Sequence, residues 1–215
     1  PDVDGLIVEG TKTGFPSPNV DLYRRIKEAG IPIVFLHCSY PELTDAVVVG
    51  MDDKKGGKMA AEALIQAGCR KLGAVFKSDD RQGGLRYAGF CEAMVEANLE
   101  LDSSLVRWYT TEDASAYTSG SSDKIPTELS VVDGLVCYND QIALAAIKDF
   151  SRLGLTLPKI YSFDHSSLRE NSAVHFLSLG HKKVELGELA ARKIVSMMRG
   201  GKEESLYLEW EKPKS

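Results

Sequence analysis

The chain has 215 residues, 43% hydrophobic and 27% charged, with 26 basic against 31 acidic side chains and a formal net charge of −5. This is ordinary globular usage, enough for one large domain or two small ones. It argues against these residues acting alone as a non-specific nucleic-acid binder, which needs a basic surface. The longest apolar runs, such as Ile31–Leu36, fall far short of the roughly 20 residues that cross a bilayer, and no basic-then-apolar leader opens the sequence.

In chain order, short β-branched runs alternate with amphipathic stretches that stop at glycine. Val3–Val8 reads as a strand. Asn19 can cap a helix running past Ile26, with Gly30 at its stop position. Ile31–Leu36 and Val47–Gly50 read as strands, and Asp53 opens a helix that carries Met59, Ala60, Ala63 and Leu64 on one face and stops at Gly68. A strand at Lys71–Phe76 leads into a helix at Gln82–Ala97. Leu105–Tyr109 is a strand, and the Ser/Thr-rich stretch Thr110–Ser130 reads as a loop with at most one helical turn. Gly134–Tyr138 is a strand, and Asp140–Leu153 a helix closed by Gly154. Strands follow near Ile160–Phe163 and Val174–Leu177, then a helix at Val184–Met198 and a last strand at Leu206–Trp210. Continuous apolar strands between helices predict mainly parallel α/β sheets covered on both faces.

Enzyme signatures are missing from the sequence: there is no GxxxxGK[ST], no GxGxxG after a strand and no GxSxG. No two of His37, His165, His175 and His181 have helical ligand spacing, and His175 reads as a partly buried strand residue. The four cysteines, Cys38, Cys69, Cys91 and Cys137, form no CxxC and read as reduced thiols packed as small hydrophobes. No catalytic, metal or cofactor site is expected. Polar clusters do follow the strands: Glu9–Lys12, Lys77–Arg86, Asn139–Gln141 and Asp164–His165. Each alone is also what a solvated strand end looks like. Together they fall where open α/β sheets bind ligands, and their carboxylates, amides and arginine suit a small polyhydroxylated molecule.

The segments VDGLIV, DD-x-x-GG-x-MAAEALIQAG, KSDDRQGGLRYAGF, DGLVCYNDQIALAAI and SFDHSSL, in that order, resemble the effector-binding domain of the LacI/GalR family of bacterial transcription regulators. VDGLIVEGTKT, FKSDDRQG, Thr110–Glu112 and LVCYNDQIAL are most similar to arabinose-responsive members of that family. The resemblance implies a two-lobed, periplasmic-binding-protein-like type I fold with parallel sheets flanked by helices. Residues 1–69 and 183–202 would form the N-terminal lobe and 70–182 and 203–215 the C-terminal lobe, with chain crossings near 68–72, 179–183 and 202–206. Two βα units that the family places before VDGLIV, on the order of 60 residues, are absent from this sequence, so the first lobe is expected to be truncated at its start. A winged-helix DNA-binding domain is absent as well.

By position in those motifs, the resemblance implies ligand contacts from Glu9, Asp80, Gln82, Arg86, Asn139, Asp140 and Asp164. The family's G-[FY]-D-D reads Ser162–Phe163–Asp164–His165 here, so only its first aspartate is matched. The implied function is effector sensing in a cytoplasmic, homodimeric repressor. A small sugar, L-arabinose by the closest likeness, would bind in the interlobe cleft and alter operator affinity through a DNA-binding domain elsewhere in the protein. The competing readings are a periplasmic sugar-binding protein of the same fold and an enzyme acting on a sugar or nucleotide.

Overall fold

The computed structural model describes residues 3–121, 124–172 and 174–213. The chain divides into two compact units. The first comprises Pro1–Asp52, Asp79–Gln82 and Lys182–Glu209, and the second Asp53–Ser78, Gly83–His181 and Trp210–Ser215.

The first unit is built on a four-stranded parallel sheet of β1 (Leu6–Glu9), β2 (Ile33–Leu36), β3 (Val47–Met51) and β9 (Leu206–Leu208), adjacent in that order. Helix α1 (Val20–Glu28) covers one face, where Val20, Ile33, Phe35, Tyr40, Leu43 and Val48 form a core with Tyr23 and Ile26 packed against it. Helix α7 (Lys183–Met198) packs on β1–β3 and buries Leu186, Ala190 and Ile194. Gly30, just past α1, has φ +81, which supplies the left-handed stop that the sequence predicts.

The second unit is a five-stranded parallel sheet in the order β5-β4-β6-β7-β8: Val106–Tyr109, Leu72–Lys77, Gly134–Cys137, Lys159–Asp164 and Leu177–Gly180. The central strand β6 is buried along its whole length and β4 along all but its last residue, as parallel strands covered on both faces must be. Helices α2 (Asp53–Gln66), α3 (Arg81–Glu96) and α6 (Asp140–Arg152) supply Ala60, Ala61, Leu64, Phe90, Ala93, Met94, Ile142, Ala146 and Phe150 to its core. Cys38, Cys69 and Cys137 are buried and none of the four cysteines forms a disulfide. Burial pushes the Cys137 thiol well above its ordinary range.

The structure differs from the sequence reading in four places. The Thr110–Ser130 stretch carries two short helices, α4 (Ala114–Thr118) and α5 (Lys124–Leu129), where one turn is predicted; residues 122 and 123 of that stretch lie outside the described residues. Tyr117, Ile125 and Leu129 are its buried anchors, too sparse to register as a periodic face. The strand placed at Val174–Leu177 begins at Leu177 instead, because a one-turn 3-10 helix at Ser167–Asn171 precedes it. His175, read as a strand residue, is therefore an exposed residue outside any element.

Helix α2 and strand β9 also group differently from the expected lobes. The sequence reading carries the first lobe to residue 69, whereas Asp53 onward packs with the second unit; α2 lies on β6 and β7. Conversely, β9 pairs with β3 in the first unit (Val49 opposite Leu206), and the change of unit falls after Glu209.

Candidate functional site

The second unit builds its polar strand end around Arg86. Residues Arg81–Glu96 form a helix starting four residues after β4, which sets Arg86 in its second turn. The glycines of the sequence make the close approach possible. A Cβ at Gly57 would lie 1.9 Å from the Arg86 carbonyl oxygen, and one at Gly89 would lie 1.8 Å from the Lys54 carbonyl oxygen. Backbone thus meets backbone where α2 crosses α3, and this brings Asp53, the first residue of α2, to the Arg86 side chain.

Arg86 is 2% exposed and Asp53 1%. The guanidinium Nε donates to Asp53 Oδ1 at 2.8 Å, and Nη1 donates to the Tyr138 carbonyl at 2.5 Å. The charged plane sits among three rings, 4.3 Å from the Phe163 centroid, 4.8 Å from Tyr138 and 5.1 Å from Trp210. Burial alone would lower the Arg86 pKa. The charge of Asp53, with Tyr138 and Asp164, outweighs it, so the guanidinium stays charged in an aromatic surround.

Asn139 follows Tyr138 at the end of β6. Its side-chain oxygen accepts from the Ile142 backbone N–H at 3.0 Å and caps α6. Asp140 is 1% exposed and spends both carboxylate oxygens inside the protein. Although the motif implies a ligand contact there, its partners are Ser162 and Ser166. Asp164 ends β7 with φ 91, and His165 follows at φ 42. The second unit thus brings together Arg86, Asn139 and Asp164 of the residues singled out from sequence.

In the first unit, Glu9 ends β1 and is exposed, with an oxygen 3.7 Å from Nε2 of His37 at the end of the neighbouring strand β2. Asp80 and Gln82, both half-buried, are carried on a segment pinned to the loop after β1. Gly14 N–H donates to the Asp79 carbonyl at 2.9 Å, and the Arg81 N–H donates to Thr13 Oγ1 at 3.1 Å. Sequence reasoning missed Asp53 and His37. The signal for Asp53 was its place at the start of the glycine-bearing helix; for His37 it was its place directly after an apolar strand, with φ 64 as the structural mark.

Chemically, the arrangement offers a fixed guanidinium, aromatic faces, an amide and carboxylates, which is how proteins hold small polyhydroxylated molecules. Among the described residues, no group of three or more His, Cys, Asp or Glu is arranged to hold a metal ion. No helix of these residues is long and apolar enough to cross a membrane.

Two all-parallel α/β units with polar residues at the carboxyl ends of their strands define a fold of the periplasmic-binding-protein type. The family model described as periplasmic binding protein-like domain matches residues 61–208, and the chain belongs to that family. It is 36% identical over 197 residues to the arabinose metabolism transcriptional repressor of Halalkalibacterium halodurans, covering 90% of this chain and 52% of that protein. The protein of the same name from Geobacillus stearothermophilus is 29% identical over 207 residues, 91% of this chain and 55% of the relative. The chain thus spans about half the length of these relatives. Among solved structures, a complex of the transcriptional regulator CelR with cellobiose superposes with a TM-score of 0.83 at 24% identity, over 97% of this chain and 64% of that one. A transcription regulator from Lactobacillus plantarum gives 0.84 at 18% identity, over 100% and 80%. These two likenesses concern the fold.

Proposed function

We propose that the chain is the sugar-sensing domain of a cytoplasmic transcriptional repressor and that its effector is L-arabinose. The observation that carries the reading is Arg86: a buried guanidinium fixed by Asp53 and the Tyr138 carbonyl amid three aromatic rings, with Asn139 and Asp164 on neighbouring strand ends. Nε is committed to Asp53 and one Nη1 N–H to the Tyr138 carbonyl, and the remaining guanidinium N–H groups serve the sugar. Asn139 and Asp164, with Glu9, Asp80 and Gln82 from the first unit, accept from or donate to its hydroxyls. Support for the arabinose assignment comes from the two relatives named as arabinose metabolism repressors. Their naming as transcription regulators also favours a sensor over an uptake receptor.

The reading involves no chemistry on the ligand and no cofactor. The protein acts as a homodimer, and DNA is contacted by a part of the protein outside these residues, in keeping with their net charge of −5. Sugar lowers operator affinity to the extent that it binds one arrangement of the protein better than the arrangement DNA prefers.

Calorimetric titration of the intact protein with L-arabinose, D-galactose, D-ribose and AMP tests this. Selective binding of L-arabinose, lost in Arg86→Ala, is expected. A folded protein that binds none of the four refutes the sugar assignment.

A further inference from the structure

Asp140 lies at the first position of α6, where a negative charge suits the helix N-terminus. Its hydrogen bonds run to both sides of one turn. Ser162 Oγ, inside β7, donates to Oδ1. Beyond the turn, Ser166 donates to Oδ2 through its backbone N–H at 2.6 Å and its hydroxyl at 2.9 Å. Phe163, Asp164 and His165 lie between those two serines. Two of them, Asp164 at φ 91 and His165 at φ 42, are consecutive non-glycine residues in the left-handed region, a conformation that L side chains keep only where the surroundings impose it. The contacts that hold it include those to Asp140, the His165 N–H donating to Ser178 Oγ at 3.0 Å, the Arg169 guanidinium 2.8 Å from the His165 ring, and the pairing of Asp164 with Gly180 of β8.

We propose that Asp140 is a positioning residue: its carboxylate clamps Ser162 and Ser166 and so holds the intervening left-handed turn in the shape that presents Asp164 to the sugar. The inference rests on the sugar-sensing reading above and on Asp164 being one of its contacts. Both Asp140 carboxylate oxygens are occupied by Ser162 and Ser166, so it acts on affinity through the turn that carries Asp164. A carboxylate suits the place because all three partners donate toward it. An asparagine keeps an oxygen for Ser166, but its N–H₂ then makes Ser162 Oγ accept instead of donate, and the charge that strengthens all three bonds is lost.

The test is a double-mutant cycle read by titration of the intact protein with L-arabinose, or with whichever sugar of the panel binds the wild type most tightly. Asp140→Asn is expected to weaken binding about tenfold, the worth of one charge-assisted hydrogen bond, and so is Asp164→Ala. In the Asp164→Ala background, Asp140→Asn is expected to add less than about twofold, because the group it positions is gone. Ser166→Ala, which removes one donor and keeps the backbone N–H bond, is a milder second variant that should lose about two- to fivefold. A purely structural Asp140 would lower the thermal midpoint while leaving the affinity of the folded protein intact, or would weaken binding equally in both backgrounds; either result overturns the proposal. Unchanged affinity in Asp164→Ala, or a wild type that binds no sugar, would remove the site reading and this inference with it. Unchanged affinity in Asp140→Asn and Ser166→Ala, with Asp164→Ala impaired, would remove this inference alone.

Discussion

The α2–α3 crossing makes one substitution act with opposite sign at two positions. At Gly57 a methyl group would meet the Arg86 carbonyl oxygen at 1.9 Å, its carbon at 2.6 Å and its Cα at 2.7 Å, all backbone atoms that cannot swing aside. Ordinary contact needs about 1.5 Å more, so the helices must part. Overpacking costs about 1–3 kcal/mol and a clash with backbone this close lies at the upper end, about 2–3 kcal/mol; the gain of about 1 kcal/mol from replacing a helical glycine by alanine leaves a net loss of about 1–2 kcal/mol. Gly84 lies on the partner helix α3, exposed, where a Cβ would meet nothing within 4 Å. There only the helical gain operates, about 0.5–1 kcal/mol. Gly57→Ala is therefore expected to lower the unfolding midpoint by about 2–8 °C and Gly84→Ala to raise it by about 1–4 °C. Both tryptophans, Trp108 and Trp210, lie in the second unit, so tryptophan fluorescence during thermal unfolding reports the unit concerned. A Gly57→Ala protein as stable as wild type, or shifts of the same sign at both positions, would refute the reasoning.

Three further outcomes follow from the same contacts. Arg86→Met leaves the Asp53 carboxylate buried without its cation, which should cost about 3–5 kcal/mol in chemical denaturation; adding Asp53→Leu should restore much of that stability and none of the sugar binding. Glu92 is held down to about 2, from an ordinary 4.5, by hydrogen bonds from Lys54 and then Lys58. A carboxylate with a depressed pKa stabilises the fold above its ordinary value and loses that contribution as pH falls through the window from 4.5 toward 2. Urea titrations across that window should therefore show a flatter pH dependence in Glu92→Gln. At Asn139, serine keeps an oxygen for the Ile142 N–H whereas alanine removes the cap, so Asn139→Ala should lose about 1 kcal/mol and Asn139→Ser little, while both weaken sugar binding by calorimetry.

Most elements were legible in the sequence because they obey one rule each. The glycine stops at Gly30, Gly68 and Gly154 all have positive φ, and the buried strands β3, β4 and β6 are the unbroken apolar runs. What was not legible depends on partners far away in the chain. Asp53 reads as an ordinary acidic helix start until the α2–α3 crossing sets it against Arg86, 33 residues on. Asp140 carries the same motif signal as Asn139, yet the serines that occupy it lie 22 and 26 residues away, and no local pattern reveals that its oxygens are already taken. The grouping of β9 rests on a like dependence: strand length and periodicity fix that an element exists, while its sheet is fixed by register partners such as Val49 and Leu206.

The first unit's sheet is closed by a strand and a helix from the far end of the chain, and this bears on how the protein is made. As the ribosome extends the polypeptide from its N-terminus, β1–β3 and α1 emerge early, but α7 and β9 are translated more than 130 residues after β3. In the interval the sheet face that α7 will cover stays apolar and open, and the outer edge of β3 is unpaired. The second unit has its whole sheet and its main helices available by residue 181. It is therefore expected to fold first during synthesis, while β1–β3 and α1 wait as an aggregation-prone intermediate that chaperones can hold. Pulse proteolysis of stalled chains in which residue 181 has just cleared the ribosomal exit tunnel should recover a protected fragment from the second unit and none from the first.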